Sequence, residues 1–318
     1  MESNPFQTAL SEQLGPHYAS IPDKNLFKNQ PAYLREVSAP DNLSQIPVLL
    51  DSARLQMFSR ITQCVRDGLA FALIKIDSDQ LKAANEQIHH DFGDESIRAS
   101  AGTITQTLAT ADLSCEHFVF RSSRAGDELV IFFLSPTSED LEAITAFTQN
   151  INRRTQQVSL PTPSGSKKFT LSSSAGLASS VETVFKNDVE NTRLQLKSNT
   201  IPHAYNLAHS LVDKANDRAG AIKVLHELTH FPLEELLSMD PLNYKNYIAK
   251  RQGGLRTSTA GWNILLMIDQ IITARFLESK FPSSSQLHFD TAPLETSDPH
   301  STPLLRRIIS SYNQIFRN

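Results

Sequence analysis

Apolar residues recur along the chain with two distinct periods, and the changes between them mark out its elements. Leu55, Phe58, Ile61 and Val65 return at intervals of three and four, which predicts an amphipathic helix. Phe71-Ala72-Leu73-Ile74-Lys75-Ile76 is a short, mostly apolar run suited to a buried strand. Residues 80–90 and 94–110 read as two helices. Phe118-Val119-Phe120-Arg121 and Leu129-Val130-Ile131-Phe132-Phe133-Leu134 then flank a polar stretch, Ser122 to Asp127, as the two arms of a hairpin. Leu141, Ile144, Phe147 and Ile151 predict a further amphipathic helix, Lys168 to Gly176 a strand, and residues 203–217 another helix. The order β-α-α-β-β-α-β-α predicts an α+β fold of the split β-α-β kind, with an antiparallel-containing sheet and helices on one face.

The flanks follow different patterns. Residues 1–45 are polar and carry Pro5, Pro16, Pro22, Pro31 and Pro40, which predicts either a loosely structured arm with short helical pieces or a surface-packed extension. Ile264 to Phe276 suits an apolar helix, residues 282–303 form a Ser/Thr/Pro-rich linker, and Leu304 to Phe316 suits a closing helix. The expected division is an arm at 1–45, a domain at 46–225 and a mainly helical extension at 226–318.

Composition narrows the setting. A formal charge of −4 gives no general drive toward nucleic acid or anionic lipid, so any phosphate site must be local. No apolar run approaches the roughly 18–20 residues of a membrane span. The start, Met1 to Pro5, lacks the basic and apolar character of a secretory signal. Cys64 and Cys115 make no disulfide framework. The expectation is a soluble, cytoplasmic protein; export without a cleaved signal leaves no mark in such a pattern.

Candidate chemistry sits at two places. Ile76-Asp77-Ser78-Asp79-Gln80-Leu81-Lys82-Ala83-Ala84-Asn85, followed by His90-Asp91-Phe92-Gly93-Asp94, puts two acids where a buried strand gives way to a helix. A carboxylate there, beside an exposed backbone carbonyl, is a good ligand pair for magnesium. Lys82 and Asn85 are three apart and share a helix face. The second place is the hairpin tip, Ala125-Gly126-Asp127-Glu128-Leu129. If the strand ending at Asp77 lies beside this hairpin, Asp77 and Asp127 meet, the geometry of two-metal phosphoryl transfer.

These segments resemble the GGDEF family of diguanylate cyclases. Asp77 to Asn85 is similar to that family's D-x-D-x-F-K-x-x-N run, Gly93-Asp94 to its G-D pair, Arg124 to Leu129 to its x-G-G-D-E-F signature, and Ser174-Ala175-Gly176 to its later S-x-G strand. The resemblance covers about 150 residues in the family's order. It implies a palm-like nucleotidyl-cyclase fold that condenses two GTP into cyclic di-GMP as a homodimer, with Mg2+ or Mn2+ as cofactor. Asp77, Asp127 and the carbonyl of Ser78 would hold metal. Glu128 would be the catalytic base or a further metal ligand, with Asp127 beside it. Lys82 and Gly126 would meet the triphosphate, and Asn85 and Asp94 would read guanine.

The sequence also departs from the family. Ala125 and Leu129 replace a glycine and the phenylalanine of the signature, and Ser123 stands where an arginine usually precedes it. The phosphate-binding lysine and arginine of the closing helix fall on Asn216 and Gly220, leaving Lys214 or Arg218 as shifted substitutes. Ala109 stands where the arginine of the inhibitory R-x-x-D site belongs. An alternative is therefore a weak or inactive relative that binds GTP or cyclic dinucleotide, signalling through its C-terminal helices to a protein partner the sequence does not name. A remote alternative is a zinc protease, because His226-Glu227-Leu228-Thr229-His230 spells H-E-x-x-H. Phe231-Pro232 follows at once and no further histidine motif continues it. In the cyclase reading Gly220 to Val224 form the last strand and this string opens the next helix.

Overall fold

The computed structural model of the chain describes residues 4–15, 51–79, 81–123, 126–162, 165–197 and 202–229, with scattered positions between 31 and 50 and between 239 and 272. Contacts divide the chain into two compact units, Met1–Ala219 and Gly220–Asn318.

The first unit is built on one five-stranded sheet. Its strands are β1 (Phe71–Ser78), β2 (Glu116–Arg121), β3 (Leu129–Leu134), β4 (Thr155–Thr162) and β5 (Gly165–Ser179). They lie in the order β2-β3-β1-β5-β4 with every neighbouring pair antiparallel. Among the described residues the main helices are α1 (Pro5–Leu14), α2 (Asp51–Asp67), α3 (Leu81–Gln87), α4 (His90–Ala109), α5 (Ser138–Arg153), α6 (Lys186–Lys197) and α7 (Pro202–Thr229).

Helices cover both faces of the sheet rather than the one expected from the element order. Phe71, Leu73, Phe120, Val130 and Phe132 pack with Met57, Ile61 and Val65 of α2 and with Leu211 and Ala215 of α7. From the other side of the same strands, Ala72, Ile74, Ile76, Ile131 and Phe133 pack with Ile104 of α4 and with Ile144, Phe147 and Ile151 of α5. The near-continuous apolar runs of β1, interrupted by Lys75, and of β3 follow from this, since a strand covered on both faces has little room for polar side chains.

Two elements lack such runs. β4 carries Thr155, Gln156, Gln157 and Ser159 around buried Val158 and Leu160, as an edge strand does. Its outer edge is met by α1: the Gln13 amide donates to the Ser159 carbonyl (2.7 Å) and accepts from the Ser159 N–H (2.6 Å), so a side chain takes the part of a neighbouring strand's peptide. α1 itself starts on an Asn4 cap with Pro5 in the first turn, and Leu10 and Leu14 are buried against Val158, Leu160 and Phe169. Of the two expectations for the arm, this piece follows the surface-packed one, as a docked helix.

The strand expected at Gly220 to Val224 is absent, because those residues continue α7 to Thr229. Ala208, Leu211, Ala215, Ala219 and Ile222 are all buried and recur every three or four residues, and that helical period prevails over one internal glycine costing about 1 kcal/mol. Within the second unit, Leu265, Ile268 and Ile272 are helical and buried, and the Tyr244 hydroxyl donates to the Leu265 carbonyl at 3.1 Å. The linker expected at 282–303 and the closing helix expected at 304–316 lie outside the described residues.

Candidate functional site

The candidate site lies where β1 leaves the core. Ile76 pairs with Leu129 of β3 as the last pair of that register, so Asp77 follows it at the end of the sheet where Glu128 precedes Leu129. On the other side Asp77 pairs with Ser174 of β5. Asp77, Asp127 and Glu128 are half-buried at this edge, and Ser78 is buried behind it.

Asp79 has a different role from its neighbour. It is 5% exposed, and its carboxylate accepts from the Ser172 and Ser174 hydroxyls, both at 2.6 Å, while its N–H donates to the Ser172 carbonyl. The second acid of the Asp77-Ser78-Asp79 run therefore ties β1 to β5.

The hairpin tip is held from within. Ser122 N–H donates to the Glu128 carbonyl at 2.9 Å and closes the loop. Gly126 donates its N–H to the Ser123 hydroxyl (3.0 Å), and its carbonyl accepts from Arg121, so both of its peptide groups are engaged inside the loop. Arg121 is fully buried, and its counter-charge is Asp41 at 2.5 Å, from the segment preceding α2. That segment also runs beside β2, with Arg121 N–H donating to Pro47 and Leu49 N–H donating to Arg121.

Two residues at this edge, Lys75 and Arg121, carried no assigned role in the sequence. Lys75 lies two positions before Asp77 on the same strand face and is 8% exposed. Its ammonium donates to Glu128 Oε2 at 2.5 Å and to the Ser122 hydroxyl at 2.8 Å. The available signal was a cation inside an apolar strand run, since such a group is buried only with a partner. Arg121 gave the same signal at the end of β2.

The α3–α4 corner joins the residues expected to read the base. A Cβ built on Gly93 would fall 1.8 Å from Asn85 Oδ1 and 2.8 Å from its Cγ, so the Asn85 amide lies directly against the Gly93 backbone. Asp94 is the next residue and is exposed. His89 caps α4 through its ring, which accepts from the Asp91 N–H. Lys82 projects outward with its side chain 77% exposed and pairs with Glu86 at 3.7 Å.

Of the substitutes expected for the missing cationic clamp, Arg218 is committed elsewhere. Its guanidinium binds Glu182 through two bonds (2.8 and 2.7 Å) and also donates to the Leu177 carbonyl. Lys214 is half-buried one turn earlier on α7. His226 is buried in the last turns of that helix rather than opening a new one, and His230 lies outside the described residues.

Among the described residues no three His, Cys, Asp or Glu side chains converge to hold a metal. The donor set as it stands does not fit a two-metal centre, because the Glu128 carboxylate already has an ammonium bound to it.

Comparison with known proteins gives this arrangement its class. Residues 51–194 match the model of the family described as diguanylate cyclase, GGDEF domain. Over that span the chain is similar to a GGDEF domain. Among solved structures, the GGDEF domain of DgcB from Caulobacter crescentus in complex with c-di-GMP is 17% identical, with 54% of this chain and 93% of that one covered and a TM-score of 0.34. Diguanylate cyclase SiaD in complex with its activator SiaC, from Pseudomonas aeruginosa, is 20% identical over 52% of this chain and 60% of that one, with a TM-score of 0.32. The FimX GGDEF domain from Pseudomonas aeruginosa is 14% identical over 54% and 95%, with a TM-score of 0.33. No curated protein matches the chain significantly. Among the described residues no helix is long and apolar enough to cross a membrane.

Proposed function

We propose that this domain is a guanine-nucleotide-binding member of the GGDEF family that holds GTP, or the cyclic dinucleotide made from it, with slow turnover or none. The observation that carries this reading is the packing of the Asn85 amide on Gly93, the residue that leads into Asp94. A carboxylate at Asp94 accepts from both N1–H and the 2-amino group of guanine. Adenine presents an acceptor at N1 and no 2-amino group, so a carboxylate facing it would go unpaired at a cost. Lys82, with its exposed side chain on the neighbouring helix, supplies a mobile charge for the phosphates.

The low turnover rests on what surrounds that corner. Asn216 and Gly220 stand in place of the family's cationic pair, and Arg218 is tied to Glu182. Glu128 is bound to Lys75. A loosely held triphosphate misaligns the reacting atoms, and such misplacement costs about a hundredfold in rate.

A second reading is a working diguanylate cyclase that condenses two GTP between two copies of the chain. It is favoured by Asp77, Asp127 and Glu128 standing at one strand end, and it requires Glu128 to leave Lys75. Incubating purified protein with GTP and magnesium, then resolving free and bound nucleotide by chromatography, separates the two. The first reading predicts bound GTP and little cyclic product. Brisk conversion to cyclic di-GMP favours the second, and neither binding nor product removes both.

A further inference from the structure

We propose that Lys75 is a built-in counter-cation for Glu128, occupying the charge position that a metal ion would otherwise take at this acid. Three observations converge on it. The ammonium is bonded to Glu128 and to Ser122 at 2.5 and 2.8 Å, while the side chain is 11% exposed and that of Glu128 is 39% exposed. The stem is also enclosed: Lys75 pairs with Val130 on one side and Gly176 on the other. Over Gly176 the backbone of α7 comes so close that an added Cβ would meet the Ala215 carbonyl at 1.9 Å and the Ala219 N–H at 2.5 Å. The helix thus roofs the strand beside Lys75, directing the ammonium to the open end where Glu128 stands.

The consequence is an energetic lock. If Glu128 turned away to ligate a metal, it would leave a buried ammonium with only the Ser122 hydroxyl of its present partners, and unpaired buried charge is strongly disfavoured. A cation approaching Glu128 also meets the positive charge of Lys75 at close range. The signature acid is therefore neutralised from inside the fold, and this lock is tested without nucleotide.

The test is Mn2+ binding to the full chain, followed by the paramagnetic resonance signal of the free ion, for the unmutated protein and for Lys75→Met, Glu128→Gln and Lys75→Met/Glu128→Gln. The proposal predicts at least tenfold tighter Mn2+ binding in Lys75→Met, cancelled in the double variant. Glu128→Gln alone should leave Mn2+ affinity within twofold of the unmutated protein. Loss of Mn2+ affinity in Glu128→Gln would overturn the proposal, as would no gain in a folded Lys75→Met. Should Lys75→Met fail to fold, the Glu128→Gln result decides by itself.

Discussion

Asn85 and Gly93 are in such close contact that the amide oxygen of one fills the space a β-carbon on the other would need. Only glycine lets α3 and α4 approach this closely, and the approach puts the Asn85 amide against the backbone that leads into Asp94. Gly93→Ala adds a methyl group 1.8 Å from that oxygen and forces the amide aside. Alanine also has the better helix propensity, by about 1 kcal/mol, which offsets much of the crowding. The expected outcome is a thermal midpoint close to the unmutated protein's with GTP affinity at least tenfold weaker. Unchanged GTP affinity in the folded variant would separate Asn85 from the base.

Asp79→Ala should act on stability. The substitution removes the two charge-assisted bonds from the buried Ser172 and Ser174 hydroxyls that join β1 to β5. A loss of about 2–4 kcal/mol in urea unfolding is expected. A loss below about 0.5 kcal/mol would show that other groups satisfy these hydroxyls.

Much of this architecture was legible in the chain. The runs at Phe71–Ile76, Phe118–Arg121 and Leu129–Leu134 mark strands because burial on both faces demands continuous apolar character. β4 was hidden because only Val158 and Leu160 face the core, and the Gln13 contact that covers its edge is 146 residues away in sequence. The Asp77-to-Asn85 and Asp127-Glu128 segments stood out as a candidate site, since their residue types and spacing are local. The split between Asp77 at the edge and Asp79 in the sheet was not, because it depends on which serines β5 presents. Lys75 was visible as an anomaly, but its partner depended on the β1–β3 register.

Acid should unfold the domain in part through Asp140 and Asp41. The Thr137 N–H is the largest influence on Asp140 and, with Ser114, outweighs burial to hold its carboxyl well below the ordinary 3.8. Burial pushes Asp41 upward, but the Ser44 N–H and Arg121 prevail and lower it. A carboxyl with a depressed folded pKa contributes stability that is complete above its unfolded value and is lost as pH falls through the folded one. Their contribution should thus be flat from pH 7 to about 5 and decline steadily below about 4. Asp140→Asn should lower the plateau and shallow the decline; an identical slope below pH 4 would remove Asp140 from the cause.

Gly176→Ala tests the roof over Lys75. The added methyl would meet α7 backbone at Ala215 and Ala219 and the Cβ of Arg218 at 2.9 Å, none of them the flexible end of a side chain. The helix must shift, at an expected cost of about 2–3 kcal/mol in denaturant unfolding. A neutral result would mean that α7 rides more loosely on β5 than this contact implies.

The central claim is that the corner made by Asn85, Gly93 and Asp94 reads guanine, and the most direct measurement is the ratio of ATP to GTP dissociation constants by calorimetry, in the unmutated protein and in Asp94→Ala. Each charge-assisted hydrogen bond to the base contributes about 1.5–3 kcal/mol, so the account predicts a ratio of at least about ten that collapses toward one in the variant. Equal affinity for GTP and ATP in the unmutated protein would contradict it.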